Sequence, residues 1–238
     1  MIAVILAAGM GERLMPLTKD MPKTLLQIDH ETIIEKMVIN CLNNGIREYV
    51  VVVGHFKEKV ADECARLAAK YDVRFTIVEN ANYFKTNTGV STLLAIEQLK
   101  NKDFIIINGD NVFDQKILTK LLESDSTAMI IDNYKKLNQE SFKITIDGST
   151  IKDMGKQIDI STSSGEFIGI SKVARDDVEL FAKILSNLTR ENPQQYYDIA
   201  FVELSQKSEI DFVFTNGLKW TEIDDIDDFN HAKSIFIE

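Results

Sequence analysis

Cysteine, proline and histidine are all scarce. Two cysteines among 238 residues, Cys41 and Cys64, fall in helix-like stretches with no CxxC pair. That excludes a disulfide scaffold and a cysteine-based zinc site, and reads as two buried thiols. Three prolines exclude a Pro-rich linker, and no internal repeat or low-complexity tract is present. His30, His55 and His231 stand far apart and form no paired catalytic motif. No run reaches the roughly 18 apolar residues of a membrane-spanning helix. Positive charge is also in deficit: 27 Lys and Arg against 37 Asp and Glu give a net charge of −10. An acidic chain (pI ≈ 4.9) is a poor binder of nucleic acid or anionic membrane, which call for a basic surface. A small anionic ligand fits only if its pocket is locally basic.

The remaining composition, 45% hydrophobic and 27% charged, is that of a globular fold. At about 100–200 residues per domain the length suits a single substantial domain, residues 1–238. Met1 leads straight into an apolar run with no basic segment before it, so no signal peptide and a cytoplasmic location are expected.

The first half alternates strand and helix patterns. Ile2–Ala7 is a short apolar run ending at glycines, as a buried parallel strand does. Thr32–Leu42 places Ile33, Ile34, Met37, Val38 and Cys41 at helical spacing, and Asn43-Asn44-Gly45 stops it. Strand patterns at Tyr49–Val53, Val73–Val78 and Phe104–Ile107 alternate with helical ones at Lys57–Ala69 and Ser91–Leu99. This βαβαβ order predicts a single-domain, Rossmann-like α/β fold, with a mostly parallel mixed sheet flanked by helices. The second half is less regular. Ala128–Ile131 and Phe167–Val173 read as strands, and Val178–Leu188 and Ile226–Phe236 as helices. Asp147-Gly148 predicts a hairpin joining Phe142–Ile146 to Ile151–Met154. Asn216-Gly217 predicts a second, joining Phe212–Thr215 to Leu218–Ile223.

The segment richest in chemistry is Leu6-Ala7-Ala8-Gly9-Met10-Gly11-Glu12-Arg13-Leu14, followed by Pro16-Leu17-Thr18 and Pro22-Lys23-Thr24-Leu25. A strand ending in small residues lets backbone N–H groups approach and cradle phosphate oxygens. Arg13 and Lys23 add positive charge there. A dinucleotide GxGxxG would need glycine at Leu14, and no GxxxxGK[ST] phosphate loop occurs. A lone GxG is often only a turn after a buried strand. The joint spacing of Gly9, Gly11, Arg13, Pro16, Pro22 and Lys23 is far more specific.

These residues resemble the signature of the nucleotidyltransferase family that activates sugar phosphates. The likeness continues through Asn108-Gly109-Asp110 and Glu222-Ile223-Asp224. The resemblance implies attack of a phosphate or phosphonate oxygen on the α-phosphorus of a nucleoside triphosphate, with release of pyrophosphate. It assigns nucleotide contacts to Leu6, Ala7, Ala8, Gly9 and Gly11. It gives Arg13 the β- and γ-phosphates, and Lys23 the α-phosphate and the incoming phosphate. Residues 1–110 would form the nucleotide-binding half and 111–238 the acceptor-binding half, with CTP and a phosphorylated head group as small-molecule partners. Dimerisation stays open.

Asp110 follows a buried strand at its C-terminal end, where open α/β sheets bind ligands. It is either the turn residue of a strand end or a carboxylate for Mg²⁺, and the resemblance selects the metal. Four aspartates crowd residues 224–228. The resemblance favours Asp224 as the second metal carboxylate, leaving Asp225 as a cap for the last helix. Sugar-1-phosphate enzymes commonly carry Gly-Thr-Gly or Gly-Thr-Ala where this chain has Asn87-Thr88-Gly89-Val90-Ser91. That departure resembles cytidylyltransferases acting on phosphocholine, inositol phosphate, glycerol phosphate, aminoethylphosphonate or phosphorylated glutamine. Gly89 would admit the base or ribose, while Asn87 and Ser91 would hydrogen-bond. The same residues also suit a helix cap. For the acceptor, the resemblance points to Glu166, Tyr197 and Asp198. Tyr196-Tyr197-Asp198 also reads as two core tyrosines and an exposed aspartate on a helix. Two other functions stay open: a sugar-1-phosphate uridylyl-, thymidylyl- or guanylyltransferase, and a nucleotide-sensing domain without catalysis.

Overall fold

The computed structural model describes residues 1–99 and 102–237. Strand β1 (Ile2–Ala7) enters the core at once and is buried on both faces. Two short strands, β2 (Gln27–Ile28) and β3 (Glu31–Thr32), pair antiparallel and lead into α1 (Ile33–Asn43). Thr32 caps that helix by accepting the Glu35 N–H at 3.2 Å. Then follow β4 (Glu48–Val53), α2 (Lys57–Tyr71), β5 (Arg74–Glu79), α3 (Thr88–Ile96), β6 (Phe104–Asn108) and β7 (Asn111–Phe113). The rest of the chain gives α4 (Gln115–Glu123), β8 (Thr127–Asp132), β9 (Lys143–Asp147), β10 (Thr150–Gly155), β11 (Gly165–Val173) and α5 (Val178–Glu191). It ends with α6 (Ile199–Leu204), β12 (Ile210–Phe214), β13 (Trp220–Glu222) and α7 (Ile226–Phe236). No helix of the described residues is long and apolar enough to cross a membrane.

One sheet runs β10-β9-β11-β6-β1-β4-β5, with β8 beside β11 and β12 beside β8. Ladders β6–β1, β1–β4 and β4–β5 are parallel, as the βαβ order predicts, whereas β11 runs antiparallel to β6. The period of two along β1 sends Ala3, Ile5 and Ala7 to one layer and Ile2, Val4, Leu6 and Ala8 to the other. The first layer is closed by the apolar stripes of α1, α2 and α4, the second by those of α3, α5 and α6. Each large apolar side chain removed from water there contributes about 1.5–3 kcal/mol. β6 ends against β1 so closely that a Cβ on Gly109 would lie 2.3 Å from the Leu6 carbonyl oxygen. Glycine is therefore the only residue that lets Asp110 turn out over the end of β1.

The hairpin at Asp147-Gly148 forms as β9–β10. The second expected hairpin does not. Asn216 and Gly217 do make a left-handed turn (φ 52° and 81°), but the flanking strands part company. β12 joins β8 in parallel, and β13 pairs antiparallel with β7. The helix expected from Ser91 begins three residues earlier, at Thr88, because the Asn87 side chain caps it by accepting the Thr88 N–H at 2.8 Å.

Candidate active site

A cleft of about 560 Å³ opens over the C-terminal ends of β1, β6 and β4's neighbouring loops, bounded on the far side by β11 and β13. Leu6, Ala7, Ala8, Gly9, Gly11 and Arg13 line one end of it. The turn after β1 is braced by Thr18, whose hydroxyl donates to the Gly11 carbonyl at 2.8 Å. Among the described residues the N–H groups of Gly9, Met10 and Gly11 donate to no protein acceptor, as a phosphate cradle requires.

Lys23 is the electrostatic centre. Its Nζ donates to Asp110 Oδ2 at 2.8 Å and to Asp224 Oδ1 at 3.0 Å. Arg13 meets the other Asp224 oxygen at 2.8 Å. Burial works against the Lys23 charge, but the two carboxylates outweigh it and hold its pKa above the ordinary lysine value. Burial likewise opposes the charge of Asp224, and Lys23 with Arg13 keeps it ionised, its pKa below the carboxylate range. Both assigned cations and both assigned metal carboxylates thus form a single cluster, and each offsets the cost of burying the other. Geometry separates the crowded aspartates. Asp225 and Asp228 make a capping box on α7, and the Asp228 carboxylate also accepts the Asp224 N–H at 3.0 Å. Asp224 alone of the four is ion-paired into the cleft.

Asn87 and Ser91 line the cleft. Asn80, 2% exposed, donates to Ser91 Oγ at 3.0 Å and so ties the end of β5 to α3. Gly89 does not face the cleft. A Cβ there would come within 2.5 Å of the Gln195 carbonyl oxygen, so the close approach is to protein rather than to base or ribose. Three hydrogen bonds join the two segments. Asn87 N–H donates to Pro193 O at 3.1 Å, Gly89 N–H to Gln195 O at 3.0 Å, and Tyr197 N–H to Thr88 Oγ1 at 3.2 Å.

Glu166, Tyr197 and Asp198 line the other end of the cleft. The expectation of two core tyrosines and an exposed aspartate is reversed at two positions. Tyr197 is core, Tyr196 is 45% exposed, and Asp198 is only 6% exposed. Burial pushes the Asp198 carboxyl up to about 7 and also raises Glu166. Glu222 was missed as a site residue. Burial first, then the charges of Asp110 and Asp224, push its pKa well up. Its signal was available in the period of two that puts Trp220 and Glu222 on one side of β13. The Tyr134–Phe142 loop, also missed, brings Lys135, Asn138, Glu140 and Ser141 to the rim. The buried Lys143 holds that loop by donating to the carbonyls of Asn138, Gln139 and Ser141 at 3.2, 3.3 and 2.9 Å.

A mixed sheet with a glycine turn of free N–H groups at one strand end, and a Lys–Arg–carboxylate cluster at the next, is the frame of a nucleotide-handling α/β protein. Residues 2–145 match the nucleotidyl transferase family. The chain belongs to that family of nucleotide-transferring enzymes. It is 31% identical over 189 residues to CTP:phosphoglutamine cytidylyltransferase of Campylobacter jejuni, covering 72% of each chain. It is 24% identical to a bifunctional IPC transferase and DIPP synthase of Aquifex aeolicus, with 99% of this chain spanning 52% of the relative's length. In structure it is similar to CTP:phosphocholine cytidylyltransferase from Streptococcus pneumoniae, with a TM-score of 0.77, 24% identity and 98% of each chain covered. UDP-glucose pyrophosphorylase of Acinetobacter baumannii shares the same fold, with a TM-score of 0.76, 14% identity, and 99% of this chain and 93% of that one covered.

Proposed function

We propose that the chain transfers CMP from CTP to a small phosphorylated or phosphonate head group, releasing pyrophosphate and forming a CDP-linked product. The observation that carries this reading is the convergence of Arg13, Lys23, Asp110 and Asp224 at the mouth of the Gly9–Gly11 turn. The kinship to cytidylyltransferases supports CTP as the donor. Residues 1–110 supply the nucleotide end of the cleft and residues 111–238 the acceptor end.

In-line transfer at phosphorus asks for positioning and charge neutralisation more than for a covalent intermediate. An acceptor oxygen attacks the α-phosphorus, the bond from that phosphorus to the bridging oxygen breaks, and pyrophosphate leaves with the bond electrons. Arg13, more exposed than Lys23, is suited to the departing β- and γ-phosphates. Lys23, beside Asp110 and Asp224, is suited to the α-phosphate and the incoming phosphate. The residues present fit Mg²⁺: Asp110 Oδ1 is buried with no hydrogen-bond partner. Among the described residues no group of three or more His, Cys, Asp or Glu makes a metal cage. Two carboxylates completed by phosphate oxygens and water are the usual Mg²⁺ set. Held by Asp110 and Asp224, Mg²⁺ would neutralise charge on the phosphate oxygens.

The test is pyrophosphate release with Mg²⁺. CTP, UTP, dTTP, ATP and GTP are each paired with phosphocholine, glycerol phosphate, aminoethylphosphonate, inositol phosphate and hexose-1-phosphates. Release with CTP and a small acceptor is expected. Release only with a hexose-1-phosphate would move the chain to the sugar branch. Nucleotide binding with no release in any pairing would favour a sensing domain.

A further inference from the structure

Two buried carboxyl groups at the acceptor end of the cleft each keep an oxygen without a hydrogen-bond partner, beside the unpartnered Tyr197 hydroxyl. Glu166 and Asp198 are each 6% exposed, yet Glu166 Oε2 and Asp198 Oδ1 have no hydrogen-bond partner. Asn108 Oδ1, on the same cleft wall, is unpartnered as well. Buried acceptors of this kind are normally met by donors, from protein, water or ligand. The basic side chains nearby are committed elsewhere. Lys23 and Arg13 are engaged by Asp110 and Asp224. Lys156 is engaged by Glu140 at 2.9 Å. Lys135 attracts Glu166 without hydrogen-bonding to it, and no cation acts on Asp198.

The aromatic residues nearby are spoken for. Lys135 Nζ already lies 4.9 Å from the centre of the Trp220 ring. Tyr197, 1% exposed, is wedged edge-on between Phe167 and Phe201, at 6.4 and 6.3 Å. Tyr196 alone presents a largely open ring, with its neighbour Phe142 edge-on at 5.9 Å. A quaternary ammonium has no N–H to give and is recognised by several aromatic faces around it. This wall offers such a group one free ring and a set of unsatisfied oxygens. A neutral polyol would give hydrogen bonds but would leave the negative charge uncompensated.

We propose that the acceptor carries a primary ammonium group, bound by N–H donation to Glu166 and Asp198, in preference to a quaternary ammonium or a neutral polyol. This rests on the reading of the chain as a transferase acting on small head groups. The experiment is a methylation series at constant charge: phosphoethanolamine, its N-methyl and N,N-dimethyl derivatives, and phosphocholine. Each is paired with CTP, with 2-aminoethylphosphonate as the phosphonate counterpart and glycerol phosphate and ethyl phosphate as neutral heads.

kcat/KM is expected to fall with each methyl group, by tenfold or more from the primary to the quaternary member, and both neutral heads should rank below the primary amine. In Asp198→Asn the primary amine should lose more than phosphocholine, flattening the series. A merely structural role would lower all members together. Phosphocholine equal to or better than phosphoethanolamine, or glycerol phosphate best of all, would overturn the inference and leave CMP transfer standing. CMP transfer to none of these acceptors, with transfer to a hexose-1-phosphate or from another nucleotide, would overturn the reading beneath it too.

Discussion

Replacing Lys23 by methionine keeps the side chain's length and removes its charge. The substitution leaves Asp110 with no cation and Asp224 with Arg13 alone, since Nζ stands 2.8 and 3.0 Å from their oxygens. Removing one partner of a fully buried ion pair costs about 3–5 kcal/mol. The two carboxylates here keep 23% and 31% of their surface in water, so screening reduces the expected cost to about 1–3 kcal/mol. For a domain of this size that is a fall in melting temperature of roughly 3–10 °C.

The pH dependence follows from the sign of the Asp224 shift. A carboxylate whose pKa is lowered in the folded state adds stability that is present above its unfolded value of about 4 and is lost as the pH falls through the lowered value. The gap between wild type and Lys23→Met should therefore be full at neutral pH and close below about pH 4. Mg²⁺ added without nucleotide should raise the melting temperature of the variant more than that of wild type, because Nζ no longer competes for the carboxylates. Turnover should fall by about 10²–10³-fold, as for loss of one charge-stabilising group in a transfer site. Thermal melts across pH, and pyrophosphate release at saturating substrates, read these effects. A variant that melts like wild type at pH 7 and turns over at full rate would refute the account of this cluster.

Three further perturbations are expected to behave as follows. Gly89→Ala places a methyl 2.5 Å from the Gln195 carbonyl oxygen and 3.0 Å from Thr189 Cγ2; overpacking should cost about 1–3 kcal/mol, and a wild-type denaturant midpoint would contradict it. Asp198 has a folded pKa of about 7, above its unfolded value, so ionising it opposes folding as the pH rises through that range. If the acceptor binds the ionised form, its KM should rise as the pH falls below about 7, and Asp198→Asn should flatten that profile while raising stability at pH 8. Asp225→Ala removes the capping box of α7 and should cost about 1 kcal/mol, measured by chemical denaturation.

The parts of the fold that were legible are those in which local pattern and long-range pairing agree. Strand β1 is apolar throughout, and β4 and β6 are apolar but for Glu48 and Asn108 at their ends, because both faces are covered, and their intervening helices carry clean stripes. Asn216-Gly217 shows the opposite case. The turn forms, but β12 and β13 find better partners in β8 and β7, which no local signal encodes. Helix α4 was missed although Asp114 caps it at 2.8 Å and Ile117, Leu118 and Leu121 are buried. Its pattern is regular but only nine residues long. In the site, Arg13, Lys23, Asp110 and Asp224 were legible as motif residues. Their direct contact was not, because Lys23 and Asp224 lie at opposite ends of the chain, and Asp224 is brought to the cleft by the antiparallel pairing of β13 with β7. The burial of Asp198 was hidden for a similar reason, being set by the packing of α6 on α5 and β10 and by the hydrogen bonds that hold residues 193–197 to the start of α3.

The hydrogen-bonded seam between residues 87–89 and 193–197 makes the two ends of the cleft difficult to redesign separately. An insertion or deletion in the α5–α6 connection would pull on the turn that carries Asn87; with Asn87 on the nucleotide, as proposed, a change made to admit a different head group would shift the nucleotide along with it. Among the described residues the Tyr134–Phe142 loop makes no hydrogen bond to residues 87–89; Lys143 gathers three of its carbonyls, and Phe142 O accepts the Phe167 N–H of β11 at 2.9 Å. On the proposed function, that loop is where acceptor choice would diverge, in an engineered library or over evolutionary time, with the least disturbance of the donor nucleotide.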